Sequence, residues 1–155
     1  QVKWPNDLYV RDQKFAGILC EAKFELDRMQ TLVFGLGMNV NQEAKSLPDD
    51  LRAPATTLRD QLGEKADIHT LTLIVLKAVL DGYKDCQQPG AGKRLQQEFI
   101  PVDALLGQTV TAQNGSTQTK GTARGIDEDG NLRLKTQTGA ILNVSAGDII
   151  FGESI

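Results

Sequence analysis

The sequence predicts an α+β fold, in which a mixed β-sheet backed by helices is followed by a small antiparallel β-barrel. The first forty residues follow strand periodicity broken by turn residues, and three helical stretches come after them. From Leu105 onward, short strand-like runs alternate with turn sequences such as Asn114-Gly115, the spacing of a small closed barrel. We therefore predict one domain over residues 1–103 and a barrel over residues 104–155.

The first part reads as strands with a hairpin. Strands are predicted at 7–10, 15–26 and 31–40, and turns at 11–13 and 27–30. Three glycines inside these strands, Gly17, Gly35 and Gly37, indicate bulges or a ligand that approaches the backbone closely.

Helices are predicted at 56–62, 67–86 and 91–99, between capping residues such as a threonine of the pair Thr56-Thr57, Gly63 and Asp67. The apolar residues of the second helix follow the i, i+3, i+4 rule, so we expect it to cover one sheet face. Barrel strands are predicted at 108–112, 118–126, 132–135, 141–144 and 149–151.

Composition excludes several classes of function. The formal net charge of −3 argues against a broad surface for nucleic acid. Two cysteines and one histidine build neither a disulfide framework nor a zinc site, so we expect a cytoplasmic setting. Cys20 alternates with apolar residues and is predicted to lie in the core. The longest apolar stretch, from Leu71 to Leu80, is too short to cross a bilayer.

Three clusters of polar residues and glycine lie within the apolar strands, at residues 3–7, 14–21 and 35–41. Lys14 could neutralise a carboxylate or phosphate, or be a solvated lysine at a strand edge. Asn39 and Asn41 share a strand face and could receive phosphates or hydrated Mg²⁺, or could cap a strand end. The pair Asn6-Asp7 could reach the same cleft or only form a turn.

Together, the clusters resemble the biotin protein ligase family. Lys-Trp-Pro-Asn-Asp at 3–7, Lys-x-x-Gly-Ile-Leu-x-Glu at 14–21 and Gly-Met-Asn-Val-Asn at 37–41 are similar to motifs of its class II synthetase-like catalytic domain. Residues 105–155 resemble its SH3-like C-terminal domain. The resemblance implies that ATP and biotin form biotinyl-5′-adenylate, and that biotin then passes to a lysine of a biotin carboxyl carrier protein, a subunit of acetyl-CoA carboxylase.

The resemblance also implies residue roles. Lys14 and Asp7 would be catalytic, and Lys14 would also bind biotin together with Gly17 and Leu19. The nucleotide would be bound by Asn6, Asp7, Gly37 and Asn39. Mg²⁺ would come with ATP and could contact Asp7 and Asn39. Family members often dimerise through the central sheet, so we expect a homodimer.

The family's glycine- and arginine-rich loop, which closes over the adenylate, is not among these residues. The chain opens without an initiator methionine, so we expect a C-terminal part of a longer ligase, with little or no activity by itself. A lipoate ligase or octanoyl transferase relative remains an alternative, although the residues around Lys14 favour biotin. A non-catalytic binding module and a biotin-responsive repressor with an upstream DNA-binding domain are further alternatives.

Overall fold

The computed structural model describes residues 1–48, 50–51 and 53–151, which form two compact units. The hairpin unit comprises Asn6–Leu71. The barrel unit comprises Gln1–Pro5 and residues 72–151. In the described residues, no helix has the length and apolar character needed to span a membrane.

The strands, in chain order, are β1 (Val2–Lys3), β2 (Asp7–Val10), β3 (Gln13–Glu25), β4 (Arg28–Met38), β5 (Thr109–Asn114), β6 (Thr117–Ile126), β7 (Leu132–Lys135), β8 (Ile141–Val144) and β9 (Asp148–Phe151). The α-helices are α1 (Leu58–Leu62), α2 (Ile68–Cys86) and α3 (Ala91–Phe99), and short 3₁₀ helices span Ala44–Ser46 and Ile100–Val102. The α+β prediction is confirmed.

In the hairpin unit, β2, β3 and β4 pair antiparallel in sequence order. The loop from β3 to β4 contains only Leu26 and Asp27, with φ angles of 47° and 61°. The predicted turn at 27–30 was therefore wrong, since the reversal comes earlier. A left-handed backbone at both loop residues suits the twist of a tight hairpin. Leucine rarely adopts this conformation, so the sequence did not indicate a turn here.

The glycines in these strands do not mark bulges. The register shifts lie between Leu8 and Tyr9 and between Lys23 and Phe24, whereas Gly17 pairs directly with Gly37. The close approach of a ligand to these glycines stays a prediction. The far part of the hairpin is exposed on both faces. Cys20 lies in it and is exposed, so its predicted core position was wrong.

The helices begin and end close to their predicted limits. The hydroxyl of Thr57 accepts a hydrogen bond from the Asp60 amide at the start of α1, and left-handed Gly63 ends it. Asp67 accepts from the His69 amide at the start of α2. However, no residue of α2 is buried within the described part of the chain. Its predicted apolar face is only partly covered there, since Leu71, Val75 and Val79 are half-buried whereas Ile74 and Tyr83 are exposed.

The barrel unit contains a five-stranded antiparallel sheet in the order β8-β7-β6-β5-β9, which confirms a small SH3-like barrel. Among the described residues the outer strands β8 and β9 are not paired with each other. The predicted closure of the barrel is therefore not found there. Alternate positions of its strands point inward and form one core. That core consists of Trp4, Leu105, Val110, Ala112, Ala123, Ile126, Leu132, Leu134 and Ile149.

The most distant member of this core in the chain is Trp4. It is only 5% exposed, and its indole Nε1 donates a hydrogen bond to the carbonyl of Gly130, 126 residues further on. Beside it, Val2 bridges to Asp103, and the Ala104 amide donates to the Val2 carbonyl. The opening segment is thus part of the barrel unit's core packing.

Candidate functional site

The hairpin unit aligns three of the predicted site residues in one row across its sheet. Asp7 of β2 pairs with Gly17 of β3, which pairs with Gly37 of β4. Directly paired residues point to the same face of an antiparallel sheet. The row therefore presents one carboxylate beside two positions that have no side chain.

Lys14 joins this row through an ion pair. Its Nζ lies 2.5 Å from Oδ1 of Asp7, and the two side chains are 38% and 22% exposed. A Cβ placed on Gly17 would lie 3.4 Å from both the Lys14 Nζ and the Asp7 carboxylate. The ion pair thus borders the bare backbone of Gly17. Lys14, Asp7 and Gly17 come together as the motifs predicted.

The backbone of Lys14 is held from both sides. It pairs with Tyr9 of β2, immediately after the register shift. On the other side its amide donates to the Pro54 carbonyl, and its carbonyl accepts from the Thr56 amide, both at 2.9 Å. Residues 54–56 thus continue the sheet where β4 ends. This arrangement fixes the position from which the lysine side chain extends.

The three asparagines form hydrogen bonds within the hairpin unit. Asn6 Nδ2 donates to the Ile18 carbonyl, and Asn39 Nδ2 donates to the Thr56 carbonyl at 3.1 Å. Asn41 forms two bonds with Ala66, one from its Nδ2 and one to its Oδ1. Asn41 therefore ties the segment after β4 to residue 66 and does not cap a strand end. Asn39 keeps one N–H and one lone pair for a ligand, because a carboxamide offers two of each.

Beyond Gly17, the same face carries Leu19 and Gly35, which form the next directly paired positions. Leu19 is 60% exposed. A Cβ on Gly37 would meet no atom within 4 Å. The face therefore offers open backbone flanked by a leucine, suited to a flat, partly apolar ligand.

Tyr9 is the buried aromatic residue next to the ion pair. Its burial, together with the charge of Asp7, raises the pKa of its phenol above the ordinary value. The phenol is therefore neutral at physiological pH and does not act as a base there. Sequence reasoning gave Tyr9 no role, although its place opposite Lys14 follows from the hairpin register.

The residues present do not form a metal cage. Within the described residues no group of three or more His, Cys, Asp or Glu side chains could hold a metal ion. Asp7 is already paired with Lys14, and Asn39 Oδ1 accepts from Gln42 Nε2 at 3.0 Å. Mg²⁺ commonly uses one or two carboxylates together with substrate phosphates. A Mg²⁺ ion at this site would therefore take most of its ligands from substrate phosphates and water.

The hairpin unit also contains a hollow of about 330 Å³. Its lining residues include Ala44, Leu47, Leu51 and Ala55, and none of the lining residues is a predicted site residue. The row with Lys14 is the better candidate site, because a site for charged ligands needs charged or polar groups that converge.

Two family models match the sequence. Residues 1–39 match the biotin/lipoate A/B protein ligase family, and residues 105–152 match the biotin protein ligase C-terminal domain. The chain belongs to the biotin protein ligase family. The first match contains Asp7, Lys14, Gly17 and Gly37, so the family match and the geometric site coincide.

Curated relatives in this family align over nearly the whole chain. The bifunctional ligase/repressor BirA of Bacillus spizizenii is 34% identical over 97% of this chain and 46% of its own length. The biotin–acetyl-CoA-carboxylase ligase of Mycobacterium tuberculosis is 32% identical over 96% of this chain and 52% of its own length. The chain spans about half the length of these relatives.

Solved biotin protein ligases have the same fold. The enzyme from Aquifex aeolicus superimposes with a TM-score of 0.80 and 29% identity, over 99% of this chain and 64% of that one. A structure of that enzyme in complex with biotin and ATP gives a TM-score of 0.79 and 27% identity, over 99% of this chain and 62% of that one.

Proposed function

We propose that the full-length protein is a biotin protein ligase that activates biotin with ATP and transfers it to a lysine of a biotin carboxyl carrier protein. The observation that carries this proposal is the Lys14–Asp7 ion pair bordering the bare backbone of Gly17. A lysine placed beside an open platform can receive an anion. The biotin- and ATP-bound relative supports the choice of both ligands.

In the first step, a carboxylate oxygen of biotin attacks the α-phosphorus of ATP. A new P–O bond forms between the carboxylate and the α-phosphorus. The bond from the α-phosphorus to the oxygen that bridges the α- and β-phosphates breaks, and pyrophosphate leaves with the electron pair of that bond. The difficulty is the repulsion between two anions. Lys14 would lie between the biotin carboxylate and the α-phosphate and stabilise the charge that develops. Asp7 holds the ammonium in place before the substrates arrive.

In the second step, the amine of the carrier lysine attacks the acyl carbon of the biotinyl adenylate. An amide bond forms, the acyl–phosphate bond breaks and AMP leaves. The amine must lose a proton, and Asp7 is the carboxylate available within the row to accept it.

The remaining roles are those that the family resemblance implies. Gly17 and Leu19 would form the wall against the biotin rings and tail, where a missing Cβ lets the ligand lie on the strand. Asn6, Asp7, Gly37 and Asn39 would bind the nucleotide. Mg²⁺ on the ATP phosphates would neutralise charge on the departing pyrophosphate, with Asp7 as the carboxylate contact.

The platform around Leu19 and Gly37 is open, so water reaches it. A reactive adenylate needs a site that excludes water. We therefore expect residues 1–155 alone to form adenylate poorly, whereas the full-length protein should do so readily. A homodimer and a cytoplasmic location remain predictions.

The test is pyrophosphate exchange by the full-length protein, measured with biotin, with lipoate and with neither. We expect exchange with biotin only. Exchange with lipoate but not biotin would assign the protein to the lipoate ligases. No exchange with either acid would favour the alternative that the protein is a non-catalytic binding module. The 155-residue chain, assayed beside the full-length protein, tests whether it is inactive alone.

A further inference from the structure

Gln42 is an exposed residue that forms two hydrogen bonds at the end of β4. Its Nε2 donates to Oδ1 of Asn39 at 3.0 Å, and its Oε1 accepts from the amide of Val40 at 3.1 Å. An exposed glutamine loses side-chain freedom when it is held in this way. Two simultaneous bonds indicate that the side chain has a defined position.

The backbone on both sides of Gln42 is fixed by α1. The Val40 carbonyl accepts from the Arg59 amide, and the Arg59 guanidinium pairs with Glu43 at 3.2 Å. The Ala44 amide donates to the Asp60 carboxylate at 2.7 Å. Gln42 therefore extends from a segment that is already ordered, which lowers the entropic cost of holding its side chain in place.

The other end of the Asn39 carboxamide is held as well. Its Nδ2 donates to the carbonyl of Thr56, a residue that is only 2% exposed. The amide of Thr56 in turn donates to the carbonyl of Lys14. Thr56 and Gln42 thus fix opposite atoms of the carboxamide. Of these two contacts, only the one from Gln42 is made by a side chain.

We propose that Gln42 is a positioning residue for the nucleotide, acting through Asn39. This inference rests on the proposed function, in which Asn39 binds the nucleotide. Gln42 and the Thr56 carbonyl together hold the Asn39 carboxamide and orient its remaining N–H and lone pair toward the ligand. Without Gln42 only the bond to Thr56 remains, so the carboxamide oxygen is held less tightly. Biotin binding does not depend on Asn39 and should not change.

The test is Gln42→Met in the full-length protein, because methionine keeps the length and removes both hydrogen bonds. The matched control is Gln30→Met, an exposed glutamine of β4 in the same unit. We expect Gln42→Met to raise the KM for ATP about fivefold, the loss of about one hydrogen bond. The KM for biotin should stay within about twofold of the wild-type value. For the control Gln30→Met, the KM for ATP and the KM for biotin should both stay within about twofold of wild type. An unchanged KM for ATP would overturn the inference.

A second measurement does not depend on catalysis. In ¹H–¹⁵N spectra, Gln42→Met should shift the side-chain amide signals of Asn39 and leave those of Asn41, which is bonded to Ala66, in place. Unchanged Asn39 signals would overturn the inference. If the signals shift but the wild-type protein shows no pyrophosphate exchange, the proposed function fails while the contact stands.

Discussion

Among the residues that the structure describes, the barrel unit buries nine apolar side chains in one core. The hairpin unit buries only four, of which two are threonines, namely Tyr9, Ala16, Thr56 and Thr57. Apolar packing holds the barrel unit together. In the hairpin unit, strand pairing and hydrogen bonds from residues 39–42 and 54–57 hold Lys14 and Asn39. The polar site thus lies in the unit that has less packing.

This difference has a physical meaning for the ion pair. A partly exposed pair such as Lys14–Asp7 contributes only about 0–1 kcal/mol to stability. The fold does not need it, and its charge remains available to a ligand. By contrast, the nine core side chains of the barrel unit stabilise the fold through their burial and carry no charge. Stability and chemistry should therefore respond to different substitutions.

The largest expected effect on stability is at Trp4. Trp4→Ala removes a buried side chain of the barrel core and its hydrogen bond to Gly130, so we expect a loss of about 3–5 kcal/mol. Leu19→Ala, on the open face of the hairpin unit, should change stability by less than about 0.5 kcal/mol. Urea unfolding measures both. Equal losses would contradict the contrast between the units.

The next effect compares two helical glycines. A Cβ on Gly92 of α3 would lie 2.3 Å from the carbonyl of Glu128, so Gly92→Ala forces a backbone shift, and we expect a loss of about 1–3 kcal/mol. Gly82 of α2 has no atom within 4 Å of that position, and Gly82→Ala should stabilise by up to about 1 kcal/mol. Thermal unfolding should show shifts of opposite sign. A loss at Gly82 would mean that α2 is packed.

A smaller effect is expected at the cap of α1. Thr57→Ala removes the hydroxyl that accepts from the Asp60 amide, at a cost of about 1 kcal/mol. Thr57→Ser keeps the oxygen and serves as the control. Amide hydrogen exchange of α1 reports the change locally. If both variants exchange alike, the hydroxyl is not what stabilises this helix.

The smallest effect is a pH dependence at Asp103. Burial raises the pKa of this carboxyl above its ordinary 3.8, so the native state binds the proton more tightly than the unfolded chain does. The stability that the protonated carboxyl contributes is therefore lost as the pH rises from its pKa in the unfolded chain to its pKa in the native state. Asp103→Asn can still accept from the Leu105 amide. We expect Asp103→Asn to be more stable than wild type at pH 7, and we expect this difference in stability to be smaller at acidic pH. A gain that grows on acidification would contradict this sign.

Local signals in the sequence predicted much of the fold. Thr57, Gly63 and Asp67 identify helix ends because capping depends on nearby residues only. The barrel strands follow from turn residues such as Gly115 and Gly139, both of which have positive φ. The hairpin loop at Leu26-Asp27 was misplaced because neither residue favours a left-handed backbone as strongly as glycine does.

Part of the site was also predictable. The spacing of the motifs brought Lys14, Asp7 and Gly17 together, since they lie on adjacent strands of one hairpin. The Trp4 contact with Gly130 and the bridge from Lys14 to Ala55 are distant in sequence and left no local pattern. The exposure of Cys20 was missed because alternation with apolar residues indicates two strand faces, and not whether either face is covered.

The central claim is that the Lys14 ammonium meets the anions of biotin and ATP. Lys14→Met in the full-length protein tests it most directly by biotin-dependent pyrophosphate exchange, with the melting temperature measured alongside. We expect the rate to fall by about 10²–10³, as when one preorganised charge donor is removed, while the melting temperature changes little. A folded Lys14→Met protein with wild-type exchange would contradict the claim.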